Sequence, residues 1–146
     1  MSAAARPAYR RVLFLCTGNS CRSQMAEAIV NAGRAGEWEA FSAGSRPAGF
    51  IHPLAIRVLA EAGIELRGAR SKPLGEFRSQ SFDLVVTVCS SAAEECPVWL
   101  GRGKRAHQEY PDPAKADGDE ARVLEVFRSV RDGMLRELPA LLERAV

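Results

Sequence analysis

Apolar residues follow two spacings along this chain of 146 residues. Short uninterrupted runs alternate with stretches in which they recur every three or four positions. Val12-Leu13-Phe14-Leu15 is continuous, which suits a strand buried on both faces. Thr17-Gly18-Asn19-Ser20 supplies turn chemistry, and residues 23 to about 33 predict a helix with Met25, Ile29 and Ala32 on one side. Residues 38–43 form a second expected strand, closed by Gly44. From His52 to about Ala62 the spacing predicts a helix carrying Leu54, Ile56, Val58 and Leu59, stopped by Gly63 as its C-cap. Residues 82–88 carry the strongest strand signal and run straight into Cys89. A last helix is expected to begin near Asp117, with Glu120 as the capping-box partner. Its apolar stripe is Val123, Phe127, Val130, Met134, Leu138 and Leu141, and Gly133 and Pro139 are expected to weaken or kink its distal half.

Strands alternating with helices predict a parallel sheet covered on both faces, a three-layer α/β architecture. The length suits one domain, expected over residues 11–146, with residues 1–10 as a disordered leader. Hydrophobic residues make up 47% of the chain and charged residues 26%, which excludes a disordered chain, a collagen and a disulfide-stapled mini-protein. Twenty basic residues are nearly cancelled by 18 acidic ones, so no nucleic-acid partner is expected. No apolar run approaches the roughly 18 residues of a membrane span. The run at residues 12–15 is also too short for the apolar region of a signal peptide, so a cytoplasmic location is expected. The small size points to a monomer.

The four cysteines form two pairs, Cys16 with Cys21 and Cys89 with Cys96. An even count admits structural disulfides, a metal site or catalysis, and a reducing cytoplasm favours the last two. Zinc bound by the four cysteines, or by cysteines with His52 and His107, fits the spacings poorly. The segment Cys16-Thr17-Gly18-Asn19-Ser20-Cys21-Arg22-Ser23 stands between a buried strand and a helix start. There the backbone N–H groups of the loop and first helical turn attract a tetrahedral oxyanion. Gly18 permits the tight backbone, and Arg22 offers a planar fork for two oxygens of one anion. The same field favours a thiolate, which makes Cys16 the expected nucleophile.

This pattern resembles the low-molecular-weight protein tyrosine phosphatase superfamily, and within it the thioredoxin-coupled arsenate reductases. The loop from Cys16 to Gln24, the segment Ser42-Ala43-Gly44, the stretch from Pro53 to Ile64 and Asp112-Pro113-Ala114 carry the resemblance. The loop alone marks the superfamily. Phosphatases usually have an aliphatic residue at the position of Ser20 and proline at that of Gln24, so both positions here follow the reductases.

The resemblance implies a three-layer sandwich around a central four-stranded parallel sheet. It also implies that Cys16 attacks arsenate, that Arg22 clamps the oxyanion and that Asp112 is the general acid. Thr17, Gly18, Asn19, Ser20, Cys21 and Ser23 complete the oxyanion loop. Cys89 would then attack Cys16 and release arsenite, Cys96 would attack Cys89, and thioredoxin would reduce the resulting Cys89–Cys96 disulfide. Two electrons are needed to convert As(V) to As(III), and a dithiol supplies them. No tightly bound cofactor is expected, but Asn19, Glu27 and Ser42 match positions that bind potassium in some relatives.

Ala114 stands where phosphatases commonly place an aromatic residue, which favours a small inorganic oxyanion over an aryl ester. Residues seven apart in a helix lie about 10.5 Å apart along the axis. A disulfide needs Cα atoms roughly 4.4–6.8 Å apart. If residues 90–95 are helical in the reduced protein, that helix must unwind as the disulfide forms. A phosphatase, which needs only Cys16, Arg22 and Asp112, and a non-catalytic thiol sensor are the alternative readings.

Overall fold

The computed structural model describes residues 9–66, 68–90 and 97–145. Residues 1–8 of the expected leader, most of the expected helix at 90–95, and Cys96 lie outside the described residues. Strand β1 (Arg10–Cys16) leads into helix α1 (Arg22–Gly33), β2 (Trp38–Gly44) and α2 (Pro53–Glu61). Strands β3 (Leu84–Thr87) and β4 (Lys104–His107) and helix α3 (Glu120–Arg144) follow. All pairings are parallel, in the order β2-β1-β3-β4.

Val12, Leu13, Phe14 and Leu15 are each fully buried, as a strand covered on both faces requires. Val12, Phe14, Leu84 and Val86 face a core built with Met25, Ile29, Val58, Phe127, Val130, Met134 and Leu138 from the three helices. Leu13, Leu15 and Val85 face the opposite way, onto Phe77, Phe82 and Trp99, in a cluster of edge-to-face rings. The sheet is thus covered on both faces, and the three helices contribute to one core. Among the described residues, the far face is closed by a 3-10 turn at Leu74–Phe77 and by aromatic loops.

Several local expectations shift. Helix α3 is capped by Asp119, not Asp117: the Asp119 side chain accepts from the Arg122 backbone N–H at 3.0 Å. Gly118, with φ +112°, separates the two aspartates and cannot be part of the helix. The helix continues through Pro139 to Arg144; the missing proline N–H falls opposite Leu135, an exposed position. Ala32, expected on the apolar side of α1, is exposed because the helix buries only its first turns, up to Val30. Strand β3 is shorter than the apolar run at 82–88, since only Leu84–Thr87 pair with both neighbours. Gly63 does end α2: it has φ +79°, its N–H donates to Ala60 O, and the Ile64 N–H reaches Leu59 O.

The strand order reverses between β1 and β3, and ligand crevices of open α/β sheets form beyond the carboxyl ends of strands at such a point. Cys16 ends β1, and Cys89 lies just beyond β3. The fold places both cysteines at the carboxyl ends of adjacent strands, Cys16 at the crevice and Cys89 buried beside it.

Candidate active site

A cavity of about 310 Å³ opens at this crevice, lined by residues 16–22 together with Arg46, Asp112, Ala114 and Lys115. Its floor is the turn from β1 into α1. The loop's carbonyls are drawn outwards: Thr17 O accepts from the Arg46 N–H at 2.9 Å, Gly18 O from Ala48 N at 2.8 Å and Ser20 O from His52 N at 3.0 Å. Ser71 Oγ donates a further bond to Gly18 O at 3.1 Å. Gly44, level with Cys16 in the sheet, lets the loop lie against β2; a Cβ there would sit 2.5 Å from Thr17 O.

Asn19 pins the loop's tightest point. Its φ of +48° is in the left-handed region, costly for a residue with a side chain, and surrounding bonds hold it there. Asn19 Oδ1 accepts from the Lys72 backbone N–H at 2.7 Å and from Gln24 Nε2 at 2.9 Å, while Nδ2 donates to Ser23 Oγ at 2.8 Å. Ser23 Oγ in turn lies 2.7 Å from Cys16 Sγ, within hydrogen-bond reach, and the Asn19 backbone N–H donates to this sulfur at 3.3 Å. A sulfur bonded in this way at a helix N-terminus is in the setting of a nucleophilic cysteine.

Helix α1 begins without a side-chain cap and without an acidic residue in its first turn. An anion in the cavity would supply that missing negative partner. Arg22 is only 3% exposed, and its guanidinium reaches Tyr110 O through Nη1 at 3.2 Å and Asp112 Oδ2 through Nη2 at 3.7 Å. Asp112 caps the short turn at Pro113–Lys115, accepting from the Ala114 N–H at 3.0 Å. Its carboxylate therefore stands at the wall of the cavity with Arg22 behind it. Ala114 leaves that wall without an aromatic ring.

Cys21 is buried, and its thiol is pushed up to about 12, first by desolvation. It remains protonated across the neutral range. Cys89 is fully buried, with Sγ 3.9 Å from Leu15 O, and does not line the cavity. It is disulfide-bonded, whereas Cys16 and Cys21 are free thiols.

The residues expected around potassium are brought together in part. Ser42 Oγ donates a short hydrogen bond to Glu27 Oε1, and the Lys72 ammonium lies 3.5 Å from both oxygens. Lys72 Nζ also donates to Arg70 O at 2.9 Å. With Asn19 Oδ1 already accepting two N–H donors, this donor set does not fit a potassium ion: a lysine cation fills the charge-balancing place. Sequence reasoning missed Lys72 because its partners lie 45 and 30 residues away, and nothing local marks it. Arg46 and Lys115 at the cavity mouth were missed for the same reason. No group of three or more histidine, cysteine or acidic side chains that could hold a metal ion occurs among the described residues. His52 instead caps α2, its Nδ1 accepting from Leu54 N at 3.1 Å, and its ring lies 4.7 Å from that of Phe127.

Residues 11–146 match the family of low molecular weight phosphotyrosine protein phosphatases. An arsenate reductase of Halalkalibacterium halodurans is 39% identical over 132 residues, covering 90% of this chain and 94% of that protein. A solved structure of an arsenate reductase in the phosphate binding state has a TM-score of 0.78 at 31% identity, over 94% of this chain and 99% of its own. The thioredoxin-dependent arsenate reductase of Corynebacterium glutamicum has a TM-score of 0.68 at 30% identity, over 97% of this chain and 65% of its own. With its sheet order, its cysteine-to-arginine loop and these likenesses in agreement, the chain belongs to the low molecular weight phosphotyrosine protein phosphatase family of enzymes and groups within it with the arsenate reductases.

Proposed function

We propose that this enzyme reduces arsenate to arsenite in the cytoplasm, using Cys16, Cys89 and Cys96 in sequence and thioredoxin as the regenerating dithiol. The observation that carries the reading is Cys89. It is a buried, disulfide-bonded cysteine one strand away from the free thiol at the base of the anion cavity. A phosphatase has no use for it.

The Cys16 thiolate attacks arsenic, and one arsenate oxygen leaves as water with a proton from Asp112. The remaining oxygens lie against Arg22 and the α1 N-terminus. The Cys89 thiolate then attacks the Cys16 sulfur. A Cys16–Cys89 disulfide forms, the sulfur–arsenic electron pair stays on arsenic, and As(V) leaves as As(III). Cys96 attacks Cys89, which frees Cys16 and leaves a Cys89–Cys96 disulfide for thioredoxin to reduce. Thioredoxin is supported by the name of the Corynebacterium glutamicum relative.

With thioredoxin, thioredoxin reductase and NADPH present, adding arsenate is expected to trigger NADPH oxidation matched one-for-one by arsenite. Rapid aryl-phosphate hydrolysis with no arsenate-dependent NADPH oxidation would replace this reading with a phosphatase.

We further propose that Lys72 makes the enzyme indifferent to potassium. Rates in potassium and sodium chloride at equal ionic strength should coincide. Lys72→Met leaves the Glu27 carboxylate, half-hidden beside Ser42, without its cation, and should lose about 1–3 kcal/mol of unfolding stability. Potassium-stimulated activity of the unaltered enzyme would sink this assignment.

A further inference from the structure

The Arg22 guanidinium is held from behind by one carbonyl oxygen. Tyr110 O accepts from Arg22 Nη1 at 3.2 Å and from Ser90 Oγ, also at 3.2 Å. Ser90 Oγ itself lies 3.5 Å from Arg22 Nη1. The hydroxyl hydrogen therefore goes to the carbonyl while the hydroxyl oxygen turns towards the cation.

Tyr110 is a firm anchor for this arrangement. It is 4% exposed, its OH donates to Glu137 Oε1 on α3 at 2.9 Å, and a Cβ on Gly133 would come 3.4 Å from its ring. Desolvation and the Glu137 carboxylate push the phenol well above its ordinary range, so it remains a donor at every pH of interest. The cluster also touches two parts of the chemistry. Ser90 is the residue after Cys89, and Asp112 is two residues after Tyr110.

We propose that Ser90 is a positioning residue: its hydroxyl fixes the Tyr110 carbonyl and thereby the orientation of the Arg22 fork, so that the grip on the oxyanion is coupled to the placement of Cys89. This rests on the reading of residues 16–22 as an oxyanion site. A cation only 3% exposed is tolerated while its donors are met. Without the Ser90 hydroxyl, Tyr110 O loses one of its donors and the Arg22 fork loses a contact that sets its orientation. Displacing Cys89 moves Ser90 through a single peptide unit, so the thiol step and the release of the anion act on the same cluster.

The test is protection of Cys16 from iodoacetamide by inorganic phosphate, read on the tryptic peptide that carries it. Cys21 stays silent in that peptide because its buried thiol, pushed up to about 12, remains protonated. Ser90→Ala should raise the phosphate concentration for half-protection about fivefold, the equivalent of one hydrogen bond. Ser90→Thr, which keeps the hydroxyl, should restore the wild-type value, with the thermal unfolding midpoint of both variants near wild type. Unchanged half-protection in Ser90→Ala overturns the proposal. Equal shifts in the alanine and threonine variants also overturn it, because packing and not the hydroxyl would then be responsible. Absence of protection in the wild type removes the anion-site reading and the proposal together. The readout uses no arsenate, so a failure of the reductase reading does not register in it.

Discussion

Cys89→Ser protein is expected to release no arsenite, with NADPH oxidation in the thioredoxin-coupled assay falling to background. Serine has nearly the shape of cysteine, but its hydroxyl is not ionised at neutral pH and forms no disulfide with Cys16. The covalent arseno-adduct on Cys16 would form and go no further. Hydrolysis of an aryl phosphate tests the same protein independently, because it needs only Cys16, Arg22 and Asp112. Any such activity in the wild type should survive in the variant. Cys89 is fully buried, so retained phosphatase activity also certifies the fold. In Cys96→Ser protein the chain of events should halt one step later, with a Cys16–Cys89 disulfide trapped after a single turnover. Sustained arsenate turnover by Cys89→Ser would sink the relay.

Arg22→Lys is the second large effect: kcat/KM for arsenate should fall by about 10²–10³. The charge is kept, so the loss isolates geometry. Arginine presents a rigid planar fork, and here Nη1 is held by Tyr110 O while Nη2 faces Asp112 at 3.7 Å. A lysine ammonium is a point charge on a flexible stem. It can meet the Tyr110 carbonyl or the anion, and the site is too buried for water to replace the lost donors, Arg22 being 3% exposed. Arsenate reduction and aryl-phosphate hydrolysis should fall together, since both need the oxyanion held against Cys16. A rate near wild type for either reaction would show that the α1 N-terminus alone stabilises the anion.

Much of the candidate site was legible because it is contiguous. A buried strand, a tight turn and a helix start follow one another within residues 11–23. The cysteine-to-arginine spacing therefore reads directly as a cavity floor. The C-terminal glycine of α2 was legible for the same reason, since Gly63 acts on its own helix. Strand β4 was not. Lys104 and Arg105 on this edge strand are exposed, so no alternating pattern marks it, and only its pairing with β3 makes it a strand. The α3 cap was misread because two aspartates flank Gly118, and the choice between them depends on that glycine's left-handed backbone.

By itself, the sequence determined four cysteines in two pairs, one of them on a turn able to hold an oxyanion. It could not say which distant groups meet there, because such meetings depend on strand order. Placing β3 directly beside β1 brings Cys89 next to the end of the strand that carries Cys16. The same packing swings Tyr110 and Asp112 onto Arg22, and sets the Lys72 ammonium between Glu27 and Ser42. These residues are separated by 30 to 90 positions along the chain, roughly, and no local pattern encodes their approach. The loop's residue types are contiguous in the chain, whereas the bonds that hold its backbone, its charge balance and the nearness of the second cysteine depend on how the sheet packs.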